Sequence, residues 1–309
     1  MINVEPMNCS SAYKSIFLED DGIQQRYFGW ALVEEASGLR VLMQRRGIFN
    51  RYLFLLRAHG GDLLGSALKR ASGNLGLSDI FVHDFDNSFN ELLASRELHF
   101  HLASPGERLI NIATFVVDLT RDESELFSRM SSDYRRKIRK AENLGVKIAV
   151  YDQPGPDLIY KFSSDYAQFA ASRGIDSFNP DTLAKMYAEG NGLLLIIERD
   201  GDVTHYLHIC TVRKTAIFMY GFGASRENDG AGQYLHWRAM MELKARGCDW
   251  YDLGGVPDMD RSNGIFCFKE GFGGVLVSLG TEWRRTGHIL APILVATRLG
   301  RSGIRRLTG

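Results

Sequence analysis

Cysteine is scarce in this 309-residue chain, and what there is lies dispersed. Cys9, Cys210, Cys248 and Cys267 form no CxxC pair, and no His/Cys cluster stands at metal-ligand spacing. That excludes a disulfide framework or a zinc knuckle as the organising device. Reduced thiols, a cytoplasmic location and no metal are expected. Long apolar runs are missing too: none approaches the ~20 residues that cross a bilayer. The opening stretch, MINVEPMNCSSAYKS, has an early acidic residue and no apolar core, so it does not read as a signal peptide. Nor is either charge sign in excess, with 37 Lys plus Arg against 37 Asp plus Glu. No global field draws the chain to nucleic acid or membrane, and any polyanion site must be a local patch. Low-complexity segments and repeats visible as residue identity are also missing.

The composition that remains, 45% hydrophobic and 24% charged, is that of an ordinary globular protein. The length suits two domains or one large one. Residues 27–35 and 39–45 read as paired strands around the turn ASG. A helix-like stretch, GDLLGSALKRASGNLG, leads to a strand at 79–85, and TFVVDL at 114–119 is another. DESELFSRM and SSDYRRKIRKAENLG are helical, the second with a Ser/Asp start and Gly145 as its stop. VKIAVY follows as a strand. Next come the helices PDLIYKFSSDYAQFAASRG and NPDTLAKMYAEG, the latter capped by Asn179 with Pro180 at its first position. GLLLIIERDGDVTHYLHICTV is a hairpin turning at RDGD, and TAIFMYGFG adds a third strand. The amphipathic helix GAGQYLHWRAMMELKARG and the short strand CDWYDLGG complete the pattern. Two helices, a three-strand meander, a helix and a further strand give the order of an N-acetyltransferase-like (GNAT-like) α+β domain. The first half carries a degraded version of that order. The expectation is an α+β (α/β-type) fold of two GNAT-like domains packed side by side. One comprises 1–146 with 281–309, the other 147–280 as the catalytic domain.

Several residues ask for a chemical explanation. In NGIFCFKEGFGG, residues 263–274, Lys269 stands between Phe268 and Phe272 amid Gly264, Gly271, Gly273 and Gly274. An ammonium among rings is poorly hydrated and needs a carboxylate, a phosphate or a developing oxyanion beside it. A tight turn with a surface lysine is the plain alternative. Asp252 ends a strand before Gly254 and Gly255, where it either serves as general base or caps the turn. Tyr220 in FMYGFGAS either binds substrate or packs. His205 and His208 point to opposite faces of one strand, cannot share a metal, and read as structural. The run Arg135-Arg136-Lys137-Ile138-Arg139-Lys140 packs five cations into six residues, as a solvated face or as a seat for phosphates. Arg298, Arg301, Arg305 and Arg306 decorate a C-terminal segment expected to pack its apolar side on the first domain.

Two stretches resemble Fem-type aminoacyltransferases. These are TFVVDLTRDESELFSRMSSDYRRKIRKAENLGVKI and WYDLGGVPDMDRSNGIFCFKEGFGG, the second similar to the family's strand, Asp, glycines, loop and G-I-x-x-F-K-x-x-F-G signature. The resemblance spans roughly residues 110–283. It implies two GNAT-like domains, here without the family's helical-hairpin arm, and transfer of an amino acid from aminoacyl-tRNA to a peptide amine. It also implies that Lys269 stabilises the oxyanion while the backbone at Phe268 positions the ester, with Asp252 as candidate base. Tyr220, Phe272, Gly255, Arg135, Arg136 and Arg139 are the candidate substrate-binding residues. The expected partners are aminoacyl-tRNA, as co-substrate in place of a cofactor, and a peptide or peptidyl-nucleotide acceptor; a monomer is expected. Where the family's cell-wall members show Arg and Tyr four apart, this chain has Asn179 and Leu183, and RAHGGDL at 57–63 departs from their N-terminal pattern. A peptide natural product therefore stands beside a cell-wall precursor as acceptor.

The rival reading is a coenzyme-A-dependent N-acyltransferase, which would bind pyrophosphate on a Q/R-x-x-G-x-G/A loop. The corresponding residues are Glu227 to Gly232, where Glu227 and Asp229 would repel the anion while Arg226 stands one place early. A dead transferase fold used as an RNA-binding scaffold is a third reading.

Overall fold

The computed structural model describes residues 5–6, 13, 15, 23–36, 38–47, 49–57, 60–71, 78–223, 229–287 and 289–291. It divides into two compact units, Met1–Ile23 with Ala113–Ser278, and Gln24–Ile112 with the chain from Leu279 onward. In chain order the first elements are β1 (Glu5–Pro6), α1 (Ile23–Phe28), β2 (Ala31–Ala36), β3 (Leu39–Arg46) and β4 (Phe49–Leu56). There follow α2 (Gly61–Ala71), β5 (Ser78–Asp84), α3 (Asn90–Leu93), β6 (His101–Leu102) and β7 (Ala113–Asp118). Next come α4 (Glu123–Arg129), α5 (Ser132–Asn143), β8 (Ile148–Tyr151), α6 (Pro156–Arg173) and α7 (Pro180–Ala188). The meander is β9 (Gly192–Arg199), β10 (Asp202–Val212) and β11 (Thr215–Gly223), followed by α8 (Ala231–Ala245) and β12 (Trp250–Val256). Last are α9 (Gly264–Glu270), β13 (Val275–Ser278) and β14 (Thr281–Thr286).

The larger unit is built on an eight-stranded sheet ordered β1-β13-β7-β12-β11-β10-β9-β8. Its sequence logic is clearest in β9, where LLLII is apolar without alternation because helices cover both faces. Leu193, Leu195 and Ile197 face the core shared with α5 and α8, whereas Leu194 and Ile196 face the core shared with α6 and α7. The β9–β10 turn uses Asp200 and Gly201, both at positive φ (52° and 85°), as a tight hairpin requires. Helix α5 starts on Ser131, whose hydroxyl accepts from the Tyr134 amide (3.3 Å), and α7 on Asn179, which accepts from the Asp181 amide (2.9 Å).

The smaller unit holds a six-stranded sheet ordered β2-β3-β4-β5-β14-β6, with only β4 and β5 parallel. Every residue of β5 is buried, including Asp79 and His83. Asp79 is held by Arg284 (2.9 Å) and Arg51 (3.3 Å), so its buried charge is paired, and His83 Nδ1 lies 3.3 Å from the Glu282 carboxylate. Both units run meander, helix, then a strand parallel to the meander's last strand.

The structure departs from the sequence reading in the arrangement of several elements. Residues 27–28 end a helix rather than begin a strand. Strand β4, which the sequence reading leaves unassigned, is a central strand whose YLFLL run offers no alternation to detect. The units divide at Ile112/Ala113 and Ser278/Leu279, not near 146 and 281. The reason is topological: β7 inserts between β12 and β13, and helices α4 and α5 belong to the core above it. Strand β14 in turn inserts between β5 and β6. The basic C-terminal set, Arg298 to Arg306, lies outside the described residues. Among the described residues no helix is long and apolar enough to cross a membrane.

Candidate active site

The parallel pair β11 and β12 hydrogen-bonds only from Thr215↔Trp250 to Ile217↔Asp252, although β11 continues to Gly223 and β12 to Val256. Beyond that point the strands no longer pair, and Lys269 enters there. The stretch around it is a short helix rather than the turn its glycines suggest. Asn263 caps α9 by accepting from the Ile265 amide (2.8 Å), and Phe266 and Lys269, one turn apart, form its buried side. Lys269 Nζ donates to the Gly254 and Gly255 carbonyl oxygens (2.9 and 2.8 Å) in the part of β12 that β11 does not reach. Neither Asp252 nor Glu282 is its hydrogen-bond partner. Gly254, at φ +77°, fits a crowded place: a β-carbon there would lie 2.9 Å from the Phe218 carbonyl oxygen and 3.3 Å from Nζ. Burial lowers the Lys269 pKa to about 8, with the nearby Asp252 carboxylate opposing the shift. The ring of Phe218 lies 5.8 Å from Nζ.

The neighbouring glycines are explained by packing. At Gly271 a β-carbon would strike the Tyr134 ring at 2.6 Å, and at Gly273 (φ +75°) the Arg129 carbonyl at 2.3 Å. They let the segment after α9 lie against α4 and α5. Tyr134 in turn donates its hydroxyl to the Phe268 carbonyl (3.0 Å), fixing the backbone beside the lysine. Phe272 is buried against Tyr134, His236 and Phe268, with ring centroids 4.8–5.2 Å apart.

Asp252 is enclosed. Its carboxylate accepts from the Tyr13 hydroxyl (2.5 Å), the Gly254 amide (2.8 Å) and the Thr114 hydroxyl. Burial raises its pKa while these donors pull it back. A buried carboxylate with both oxygens engaged ties β7, β12 and the segment at Tyr13 together, and the turn-capping alternative describes it better than a general base.

A cavity of about 210 Å³ lies between β10, β11 and α8; Lys269 does not line it but adjoins it through Phe268 and through Phe218, whose ring is 5.8 Å from Nζ. Its apolar wall is Leu207, Phe218, Leu235 and Phe268, and Gly221, Gly223 and Gly232 open it; Phe222 also borders it, but its ring packs on Phe169 and Tyr206 on the α6 side. The polar side chains are His205 and His236. Burial lowers both pKa values, that of His236 to about 3 with the Lys269 charge adding to the effect. His236 Nδ1 shares a hydrogen bond with the Tyr251 hydroxyl (2.9 Å). Sequence reading found Phe268 but not the rest of this wall. The signals were the two-residue spacing of Gly221 and Gly223 on one strand face and the four-residue spacing of Gly232 and His236 on one helix face.

Tyr220 is not in this cavity. A β-bulge between His208 and Ile209 shifts the register, and the Tyr220 ring packs with Phe178 (4.6 Å), Tyr166 (5.5 Å) and His208 (6.1 Å) on the α6–α7 side. His208 is buried there and its Nδ1 bonds the Tyr187 hydroxyl (2.7 Å), while His205 faces the cavity, so the two histidines do occupy opposite faces. Among the described residues no group of His, Cys, Asp and Glu is arranged to hold a metal.

The basic run occupies one open side of α5. Ser132, Arg135, Arg136, Arg139 and Lys140 line a broad surface depression of about 580 Å³. Arg135 donates to the Ser128 carbonyl (2.8 Å) and to that of Met130, Arg136 pairs with Asp133 (2.5 Å), and Arg139 lies 5.3 Å from the Phe127 ring. At the start of α8, the Asp229 carboxylate accepts from the Ala231 amide (2.9 Å) and forms an ion pair with Arg199. Burial opposes the ionised form, but the Ala231 amide and Arg199 outweigh it and hold the pKa below the usual carboxylate range. Arg226, Glu227 and Asn228 lie outside the described residues.

Residues 128–264 match the family model described as an acetyltransferase (GNAT) domain. Among solved structures the chain is similar to FemX, with a TM-score of 0.62 and 13% identity over 88% of this chain and 93% of that one. It is also similar to L-PGS from Bacillus licheniformis (TM-score 0.56, 13% identity, 87% and 88% covered). A tandem GNAT protein from the clavulanic acid biosynthesis pathway gives a TM-score of 0.51 at 11% identity, with 80% and 78% covered. No curated protein matches the sequence. At these identities the likeness is one of fold: a mixed α/β protein of two GNAT-like units.

Proposed function

We propose that this chain is an acyltransferase that moves an amino acid from aminoacyl-tRNA onto the amine of a peptide acceptor. The observation that carries the proposal is Lys269, a buried ammonium held by two carbonyls where β11 and β12 part, beside an apolar cavity. In the reaction the acceptor amine attacks the ester carbonyl carbon. The new C–N bond forms, the C–O bond to the terminal ribose breaks, and the proton lost by the amine ends on the ribose oxygen. The intermediate carries an oxyanion. A fixed, poorly hydrated cation beside it is worth ~3 kcal/mol of transition-state stabilisation. Two of the ammonium's three protons hold it in place, and the third is left to donate. The Phe268 backbone, pinned by Tyr134, positions the ester, and Phe272 keeps the surroundings dry. Asp252 acts by fixing β12 under the lysine rather than by taking a proton.

The FemX and L-PGS folds and the F-K-x-x-F-G resemblance support the aminoacyl donor. The depression on α5 supplies cations for tRNA phosphates. The coenzyme A alternative has the match to an acetyltransferase domain in its favour. Against it stands Asp229, whose carboxylate already occupies the helix N-terminus that a pyrophosphate would use. Thermal unfolding of the pure protein separates the two. Aminoacyl-tRNA should raise the midpoint and coenzyme A should leave it unchanged; the reverse pattern would transfer the assignment to the rival.

A further inference from the structure

The cavity beside Lys269 is suited to one class of aminoacyl group. We propose that it receives the side chain of the transferred amino acid and selects a large uncharged one, aromatic or branched aliphatic. This inference rests on the aminoacyl-tRNA reading above.

Size is the first argument. The volume of about 210 Å³ exceeds the ~150 Å³ that suffices for benzene in an apolar protein cavity. Glycine or alanine would leave most of it empty.

Charge is the second. Among the described residues no carboxylate or cation lines the cavity; its polar side chains are His205 and His236, which burial keeps neutral at pH 7. A lysyl side chain placed there would lose its hydration with no carboxylate to pair with, and a glutamyl one could pair only with Lys269, the cation that the oxyanion requires. The Arg199–Asp229 pair that acts on His205 is already self-compensated. The Lys269 ammonium adds repulsion against a second cation.

Shape is the third, and it singles out Gly232. A β-carbon at Gly221 would meet the Tyr206 carbonyl at 2.7 Å and one at Gly223 the His205 ring at 2.7 Å, so packing alone accounts for those glycines. At Gly232 a β-carbon would meet nothing within 4 Å, and the backbone there has no positive φ. Packing therefore does not require glycine at 232. Its missing side chain leaves open space that the ligand can fill. Gly232 is a specificity-determining position.

The probes are non-hydrolysable 3′-amide analogues of aminoacyl-adenosine carrying phenylalanine, leucine, alanine, lysine or glutamate, with adenosine as control. Calorimetry should show the phenylalanyl and leucyl analogues binding about 10–100-fold more tightly than the lysyl one. Gly232→Leu should weaken the phenylalanyl analogue by about tenfold or more and leave the alanyl analogue nearly unchanged. Gly232→Ala should fall between, and an unaltered unfolding midpoint in both variants shows that the fold is kept. Equal binding of the phenylalanyl and lysyl analogues would overturn the inference. So would an equal loss for every analogue and for adenosine in Gly232→Leu, which would mean that the cavity holds the nucleoside. If no analogue binds the parent protein while acetyl-coenzyme A does, the donor reading itself fails and the inference with it.

Discussion

At Lys269 the lysine's chemistry and its packing are inseparable. Lys269→Met keeps the length of the side chain but leaves the buried Gly254 carbonyl and the half-buried Gly255 carbonyl without their donor. It should therefore cost about 1–3 kcal/mol of stability in urea unfolding as well as rate. Single-turnover transfer should fall about 10²–10³-fold while tRNA affinity changes little. The pH profile adds a signature. With a pKa of about 8 the cation is present below that pH and lost above it, so the lysine-dependent rate should decline as pH rises through about 8. The methionine variant should lack that limb, and a variant that retained it would assign the titration to another group. Gly230 gives a purely structural contrast. It sits at φ +83° with its α-carbon against α5, and a β-carbon would come within 2.1 Å of the Lys137 carbonyl. Gly230→Ala should destabilise by about 3 kcal/mol, whereas Gly232→Ala should stay within about 0.5 kcal/mol. Urea midpoints for the pair decide whether the start of α8 is as tightly seated as described. The sequence made Lys269 conspicuous because a cation between rings is chemically odd. It could not reveal the carbonyl partners, since they depend on where two strands stop pairing.

Among the elements, legibility followed periodicity and capping. Helices α5, α6 and α7 and the β9–β10 hairpin could be read because caps, glycine stops and a turn dipeptide mark them. Strand β4 and helix α9 escape, the first because a strand buried in mid-sheet shows no alternation, the second because a seven-residue helix that starts on one glycine and stops at another looks like a turn. The facing of Tyr220 is illegible for a different reason. One bulged residue flips the facing of all that follow, and no sequence pattern announces it. Helix α5 carries the prediction of this scale. Arg135 is tied to carbonyls at the end of α4, so charge reversal there should lower stability first. Arg136 is largely exposed, its side chain 78% accessible, and Lys140 shares the same depression. Arg136→Glu combined with Lys140→Glu should weaken tRNA binding and reduce the slope of log affinity against log salt by roughly 1 for each phosphate no longer neutralised. An unchanged slope would return this side of the helix to the solvent.

The whole molecule repeats one plan twice with an exchange of strands. The segment after β5 supplies β7 to the larger sheet, and the segment after β13 supplies β14 to the smaller one. The repeated order of elements was visible in the sequence. The boundary was not, because a strand's partner is chosen by tertiary packing and TFVVDL is equally apolar on either side of the cut. The same limit applies to chemistry: two GNAT-like units define a fold that serves several acyl donors, and only the site distinguishes them. The donor is therefore the quantity to measure. Protein incubated with a peptide amine and with tRNA charged with a labelled large uncharged amino acid should place the label on the peptide, and ribonuclease treatment of the tRNA should abolish the transfer. Transfer that survives ribonuclease and is instead supported by acetyl-coenzyme A would contradict the assignment.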